Sequence, residues 1–176
     1  MTWHETYLVI GTFFGIALTF VAILISRHYQ KKDSDRKGML RVYDILSNEN
    51  NKKIRRRVYE AYCGKKFSDD GKILDNSYNL DIEEARTVFG EIGGLVKDGL
   101  IPKKAFLDTF AGVVIRIWKS LEQNIYHERK VRNMQRYMEA FEELYKSALE
   151  HWRIHYYPDP EPDPCGEKTK EIMENK

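Results

Sequence analysis

His151 and His155 lie four residues apart near the end of the chain. On a helix, side chains at i and i+4 share a face, and two imidazoles at this spacing can clamp a metal ion. Trp152, Arg153 and Ile154 stand between them, so the glutamate that acts as general base in an HExxH hydrolase is missing. A third ligand has to come from Asp159 or from a loop. The plainer alternative is two histidines at the edge of a domain, beside an acidic tail. His151 and His155 are carried forward only as weak metal candidates, and no cofactor is expected.

A second constellation is KKIRRR, in which Lys52, Lys53, Arg55, Arg56 and Arg57 surround Ile54. Such a run can neutralise nucleic-acid phosphates, yet no recognised reading motif accompanies it, which disfavours nucleic acid as a partner. Anionic lipid headgroups suit it better where the segment is tethered to a membrane. A solvated basic helix face is the commonest use of such a run.

Other chemistry finds little footing. DDGKILDN invites a calcium-loop reading, but placing Gly71 at loop position six puts Lys66 at position one, and starting from Asp75 puts Arg86 at position twelve. The chain has no GxxxxGK, no GxGxxG after a strand and no GxSxG. The pairs Glu83–Glu84 and Glu142–Glu143 are helix neighbours that point about 100° apart and do not converge on one substrate. Arg116, Arg129 and Arg132 are placed to meet Glu139 or Glu142 as structural ion pairs. No catalytic residue is expected, and the chain does not read as an enzyme.

The element that positions all of this is Tyr7–Ser26, YLVIGTFFGIALTFVAILIS, which carries no charge. At about 1.5 Å per residue it matches the roughly 30 Å hydrocarbon core of a bilayer. It lacks the positive n-region and cleavage site of a secretory signal. No Lys or Arg precedes it, while Arg27, Lys31 and Lys32 follow, so the positive-inside rule puts the C-terminal side in the cytoplasm. Trp3, Tyr7 and Tyr29 sit where aromatic rings favour the headgroup layer. Gly11 and Gly15, with Thr19 a turn on, form a small-residue stripe by which two such helices can pair as a homodimer.

The remainder of the 176 residues, with a formal net charge of +2, suffices for one domain of ordinary size. Met39–Leu46 is helical in pattern and SNENN breaks it. Asn50 or Asn51 is expected to cap the next helix, which ends at Gly64. Residues 64–80 read as a loop. Asp81 is expected to cap a helix whose stripe is Ile82, Ala85, Phe89, Ile92 and Val96. Gly90, Gly93 and Gly94 inside it imply that an aromatic ring or another backbone packs closely there. Gly99 ends it, and Pro102 opens an antiparallel partner through Phe106, Phe110, Ile117, Trp118 and Leu121. HERKVRN marks a break, after which Asn133 is expected to cap the last helix. That helix carries Tyr137, Phe141, Leu144, Ala148 and Trp152 inward until Pro158. The Pro- and acid-rich tail is expected to be disordered. Cys63 and Cys165 have no CxxC partner, and a cytoplasmic setting predicts two free thiols.

FGEIGGLVKDGLI, the downstream IW with Arg129 after it, and YMEAFEEL resemble a family known as domain of unknown function 4760, over roughly Val42 to Leu149. The resemblance implies one N-terminal membrane helix and a cytoplasmic helical domain. Its motifs are mostly packing residues, and it supplies no catalytic residue.

The expected fold is therefore all-α: a transmembrane helix followed by a cytoplasmic antiparallel bundle of about four to five helices. The expected layout is a short outer N-terminus at 1–6, the span at 7–26, a basic juxtamembrane linker at 27–38, the helical domain at 39–157 and the tail at 158–176. The expected role is an interaction, scaffolding or regulatory module at the cell membrane. Its partners would be the bilayer, anionic lipid headgroups and an unidentified protein. Arg27, Lys31, Lys32, Lys52, Lys53, Arg55, Arg56 and Arg57 are the candidate contacts.

Overall fold

Helix periodicity dominates the chain, and the computed structural model follows it. The structure describes the backbone of residues 3–166 and the side chains of residues 18–166. Among the described residues the fold is all-α, with five α-helices, one 3-10 turn and no strand. They are α1 (Trp3–Ser47), α2 (Glu49–Cys63), α3 (Asn79–Lys97), α4 (Lys103–Val131) and α5 (Glu139–His155), with the 3-10 turn at Asn76–Tyr78.

The chain divides into two compact units, the first ending at Lys37 and the second starting at Gly38. Of the linker expected at 27–38, residues 27–37 fall in the first unit, and the whole stretch is helical and belongs to α1. Among the described residues no helix is long and apolar enough to cross a membrane. Tyr7–Ala17, the first part of the expected span, lie outside the described side chains, as do Gly11 and Gly15.

The second unit is built from the apolar stripes of its helices. In α2 the buried Ile54, Val58 and Ala61 recur at four and three. Asn48 caps this helix, its side chain accepting the Asn50 N–H at 2.8 Å, so the cap stands earlier than the expected Asn50 or Asn51. The expected stripe of α3 is buried in full. That helix starts at Asn79, which puts Asp81 in the first turn rather than at the cap. Gly99, with φ +70°, closes α3, and Pro102 sits at the cap of α4, giving the expected hairpin.

At the core, the Trp118 ring stacks on Tyr145 with centroids 5.4 Å apart and meets Phe141 edge-on at 5.0 Å. Phe141 in turn stacks on Phe89 at 5.3 Å, so one aromatic chain joins α3, α4 and α5. Gly93 makes this possible: a Cβ there would stand 2.6 Å from the Ala140 carbonyl oxygen of α5. Only glycine lets the two backbones approach so closely. Gly90 similarly accommodates Met138, whereas Gly94 faces open space.

Two further boundaries differ from the sequence reading. Helix α4 continues through HERK to Val131, and α5 begins only at Glu139. Asn133 and Met138 both take positive φ, and Arg129 Nε donates to the Tyr137 carbonyl at 2.9 Å. A tertiary hydrogen bond thus holds residues 132–138 as a turn where periodicity favoured a helix.

The tail is the larger correction. Residues 158–166 are ordered against the domain, because Glu161 accepts from Lys119 at 3.1 Å and from Arg153 at 2.8 Å. Pro162 packs beside Gly112, Pro164 is buried, and Cys165 forms a disulfide with Cys63 of α2. The two cysteines are therefore not free thiols. The segment that composition marked as unable to bury surface is held by ion pairs and a covalent bond. Residues 167–176 of the expected tail lie outside the described ones.

Candidate functional site

The five cations of KKIRRR do not form one solvated face. Their helix turns about 100° per residue, so successive side chains are sent to different neighbours. Arg57 turns inward: its Nε donates to Asp81 at 3.2 Å, its Nη2 to the Ser77 carbonyl at 3.0 Å, and its guanidinium lies 3.9 Å from the centre of the Tyr78 ring. This arginine pins α2 to the start of α3. Arg56 donates to the buried Glu60 at 3.2 Å, Lys52 pairs with Glu49 at 2.6 Å, and Lys53 is exposed.

Arg55 takes a third direction. It enters a cleft of about 290 Å³ between α2 and α4, walled by Lys52, Arg55, Arg56, Tyr59 and Glu60 of α2 and by Arg116 of α4. Its Nη1 is buried and has no hydrogen-bond partner. Burial holds the Arg55 guanidinium below its ordinary pKa, and the like charge of Arg116 acts in the same direction. Arg116 donates from Nε to the Gly112 carbonyl of its own helix at 3.3 Å and lies 5.9 Å from the centre of the Tyr59 ring. Burial also pushes the Tyr59 phenol up.

Arg116 meets neither Glu139 nor Glu142, against expectation. Glu142 is taken by Arg129 at 2.8 Å and by Lys146 at 2.6 Å, while Arg132 pairs with Glu128 at 2.7 Å. Sequence reasoning thus missed Arg116 and Tyr59 as wall residues of a basic cleft. The available signal was the density of Arg around Ile54, but nothing local says which stretch of α4 will lie opposite.

The histidine pair is real as geometry. The rings of His151 and His155 stand 4.3 Å apart, and His151 Nε2 lies 3.2 Å from Asp108 Oδ1 on α4. Asp108, rather than Asp159, is therefore the carboxylate beside them. Among the described residues no group of three or more His, Cys, Asp or Glu side chains is placed to hold a metal. In the first unit, Thr19, Arg27, Lys31 and Lys32 are exposed.

The model of the family described as Domain of unknown function (DUF4760) matches residues 9–152. No curated protein and no solved structure matches the chain.

Proposed function

The chain belongs to that family, and on this footing we propose that it is a single-pass membrane protein whose helical domain serves as an interaction or regulatory module at the membrane surface, without catalysis of its own. The observation that carries the proposal is the apolar stretch of α1. Leu18, Phe20, Val21, Ile23, Leu24 and Ile25 are each 48–64 % exposed, and they continue the charge-free run that begins at Tyr7. Burying such side chains contributes about 1.5–3 kcal/mol apiece, and a patch of this kind on one helix marks a surface meant to be covered. A bilayer covers every side of a helix at once, which suits a run apolar all round.

Carbonate washing of cell membranes tests the anchor. Retention in the pellet is expected, and full release into the supernatant would remove the proposal.

Orientation draws on two signals that pull apart. The cations after the span favour a cytoplasmic domain, whereas a Cys63–Cys165 bond persists best in an oxidising compartment. We give weight to the cations, because they act while the helix is being inserted, and a thiol pair only records the redox conditions it later meets. Protease added to intact cells should leave the domain whole. Its digestion there would reverse the orientation.

Within this reading, the basic residues of α2 and of the juxtamembrane stretch contact anionic headgroups. Each Lys or Arg near such a leaflet contributes about 1 kcal/mol, fading within a Debye length of about 8 Å.

A further inference from the structure

From Arg41 onward, every described arginine but two lies within ion-pair distance of a carboxylate. Arg41 pairs with Glu91, Arg56 and Arg57 with Glu60, Arg86 with Glu128, Arg129 with Glu142, Arg132 with Glu128, Arg136 with Glu139 and Arg153 with Glu161. The two exceptions are Arg55 and Arg116, and both wall the same cleft. A domain that neutralises its other guanidiniums has brought these two together from separate helices, at an electrostatic cost that no described carboxylate within ion-pair distance offsets and the Tyr59 ring eases only in part.

We propose that the cleft between α2 and α4 is a binding site for a phosphate group, held by the guanidiniums of Arg55 and Arg116 with Lys52 and Arg56 at its edge. The ligand class follows from the donors. A guanidinium presents a planar fork of N–H groups that matches the oxygens of a phosphate, and two forks can share one such group. Arg55 supplies a buried N–H group that lacks an acceptor.

The local charge agrees: four cationic side chains line the cleft against one carboxylate, that of Glu60, which Arg56 and Arg57 already engage at 3.2 and 3.8 Å. Tyr59 offers Arg116 an aromatic face, a weaker counter-charge than a carboxylate. A volume of about 290 Å³ lies at the small end of ligand pockets. It has room for a phosphate with a small substituent, such as a lipid headgroup or a free phosphorylated metabolite, and not for an extended chain. The proposal sharpens the headgroup contact suggested above and rests on it only for the choice between these two sources, since a phosphate site can exist without the anchor.

The test uses the full-length protein in neutral detergent at constant ionic strength. Inorganic phosphate is titrated against chloride, with the thermal midpoint and 31P line width as readouts. In a second arm, water-soluble short-chain phosphatidic acid replaces phosphate. The expected result is a midpoint rise of about 5 °C once phosphate is about twentyfold above its Kd, and line broadening that chloride does not compete away. Both effects should vanish in Arg55→Gln and Arg116→Gln and survive in Arg136→Gln. Circular dichroism checks that each variant is folded, and Arg116→Lys, which keeps the charge and loses the fork, should weaken binding at least tenfold without abolishing it.

Tighter binding of the lipid than of phosphate assigns the site to a headgroup, and equal binding assigns it to a free phosphate group. Absence of any shift with both probes overturns the site. A shift that persists in folded Arg55→Gln and Arg116→Gln overturns it equally. Neither result touches the anchor, which the carbonate wash decides separately.

Discussion

Two arginine sites lie against α4, and they are built on opposite terms. Arg86, only 4 % exposed, donates from Nη1 to Asn124 at 3.0 Å, stands 3.6 Å from Glu128 and faces the Tyr137 ring. Asn124 passes the connection on by donating to the Gly71 carbonyl at 2.9 Å, which ties the 64–78 loop to the bundle. Gly71, at φ +85°, could carry no side chain there, because a Cβ would run into the Gln123 carbonyl. Arg55 and Arg116 have no described carboxylate within ion-pair distance, and Arg116 has only the Gly112 carbonyl of its own helix and the Tyr59 ring. Arg86 also keeps one buried nitrogen, Nε, without a partner, so what separates the two sites is the carboxylate. Glu128 stands beside Arg86, whereas at Arg55 and Arg116 a counter-charge has to come from outside or the charge is a burden. Substitutions can pull these two cases apart.

The largest effect should come from the packed side of α4, which sets the scale. Trp118→Ala removes a ring with no exposed surface that touches both Phe141 and Tyr145. Urea unfolding should show a loss of about 3–5 kcal/mol, and a loss under about 1 kcal/mol would mean that this aromatic chain is not the centre of the core.

Next comes Arg86→Met. It leaves Asn124 Oδ1 without its donor and takes one partner from Glu128, which keeps Arg132. A cost of about 2–3 kcal/mol is expected, below the usual range for breaking a fully buried pair. Loss of protection from hydrogen exchange in the 64–78 loop should accompany it, and an undisturbed loop would show that Arg86 is not what anchors it.

Arg116→Met should behave otherwise. Removing one of two like charges relieves repulsion, so stability should change by less than about 0.5 kcal/mol or rise. A loss above about 2 kcal/mol would make Arg116 a structural arginine like Arg86 and erase the contrast.

The smallest effect is that of acid. Hydrogen bonds from Lys146 and then Arg129 hold the Glu142 carboxyl below the ordinary range, and Arg153 and Lys119 do the same for Glu161. At Glu128, burial pushes up, but Arg132 and Arg86 outweigh it and the net direction is down. A carboxyl with a depressed folded pKa takes up its proton in the unfolded chain first. Its stabilisation is present above about pH 4.5 and fades as pH falls through the folded value. The urea midpoint should therefore decline below about pH 4.5, where these paired sites weaken. A flat midpoint down to about pH 3.5 would mean that these pairs add nothing to stability.

What could be read from the chain and what could not divides along sequence distance. The stripe of α3, the Gly99–Pro102 hairpin, the inward faces of Trp118 and Phe141, and the close approach at Gly93 are all visible because helical periodicity and glycine cost are local properties. Periodicity places the start of α5 too early because Arg129 reaches forward to the Tyr137 carbonyl, a contact that no propensity encodes. KKIRRR gave the right residues with the wrong uniformity: burial sends Arg57 to α3 and Arg55 to α4, and the one-dimensional pattern shows only a crowd of charge. Cys63 and Cys165 stand 102 residues apart, and inference from compartment alone could not pair them.

That bond has a mechanical consequence. It closes a covalent ring that contains α3, α4 and α5, while α1 and α2 precede it. A pull applied between the N-terminal helix and the C-terminus enters the ring at one sulfur and leaves at the other. Tension then runs along α1 and α2 only, and the aromatic core hangs outside the load path as a slack loop. Reduction of the bond places all three helices in series with the force.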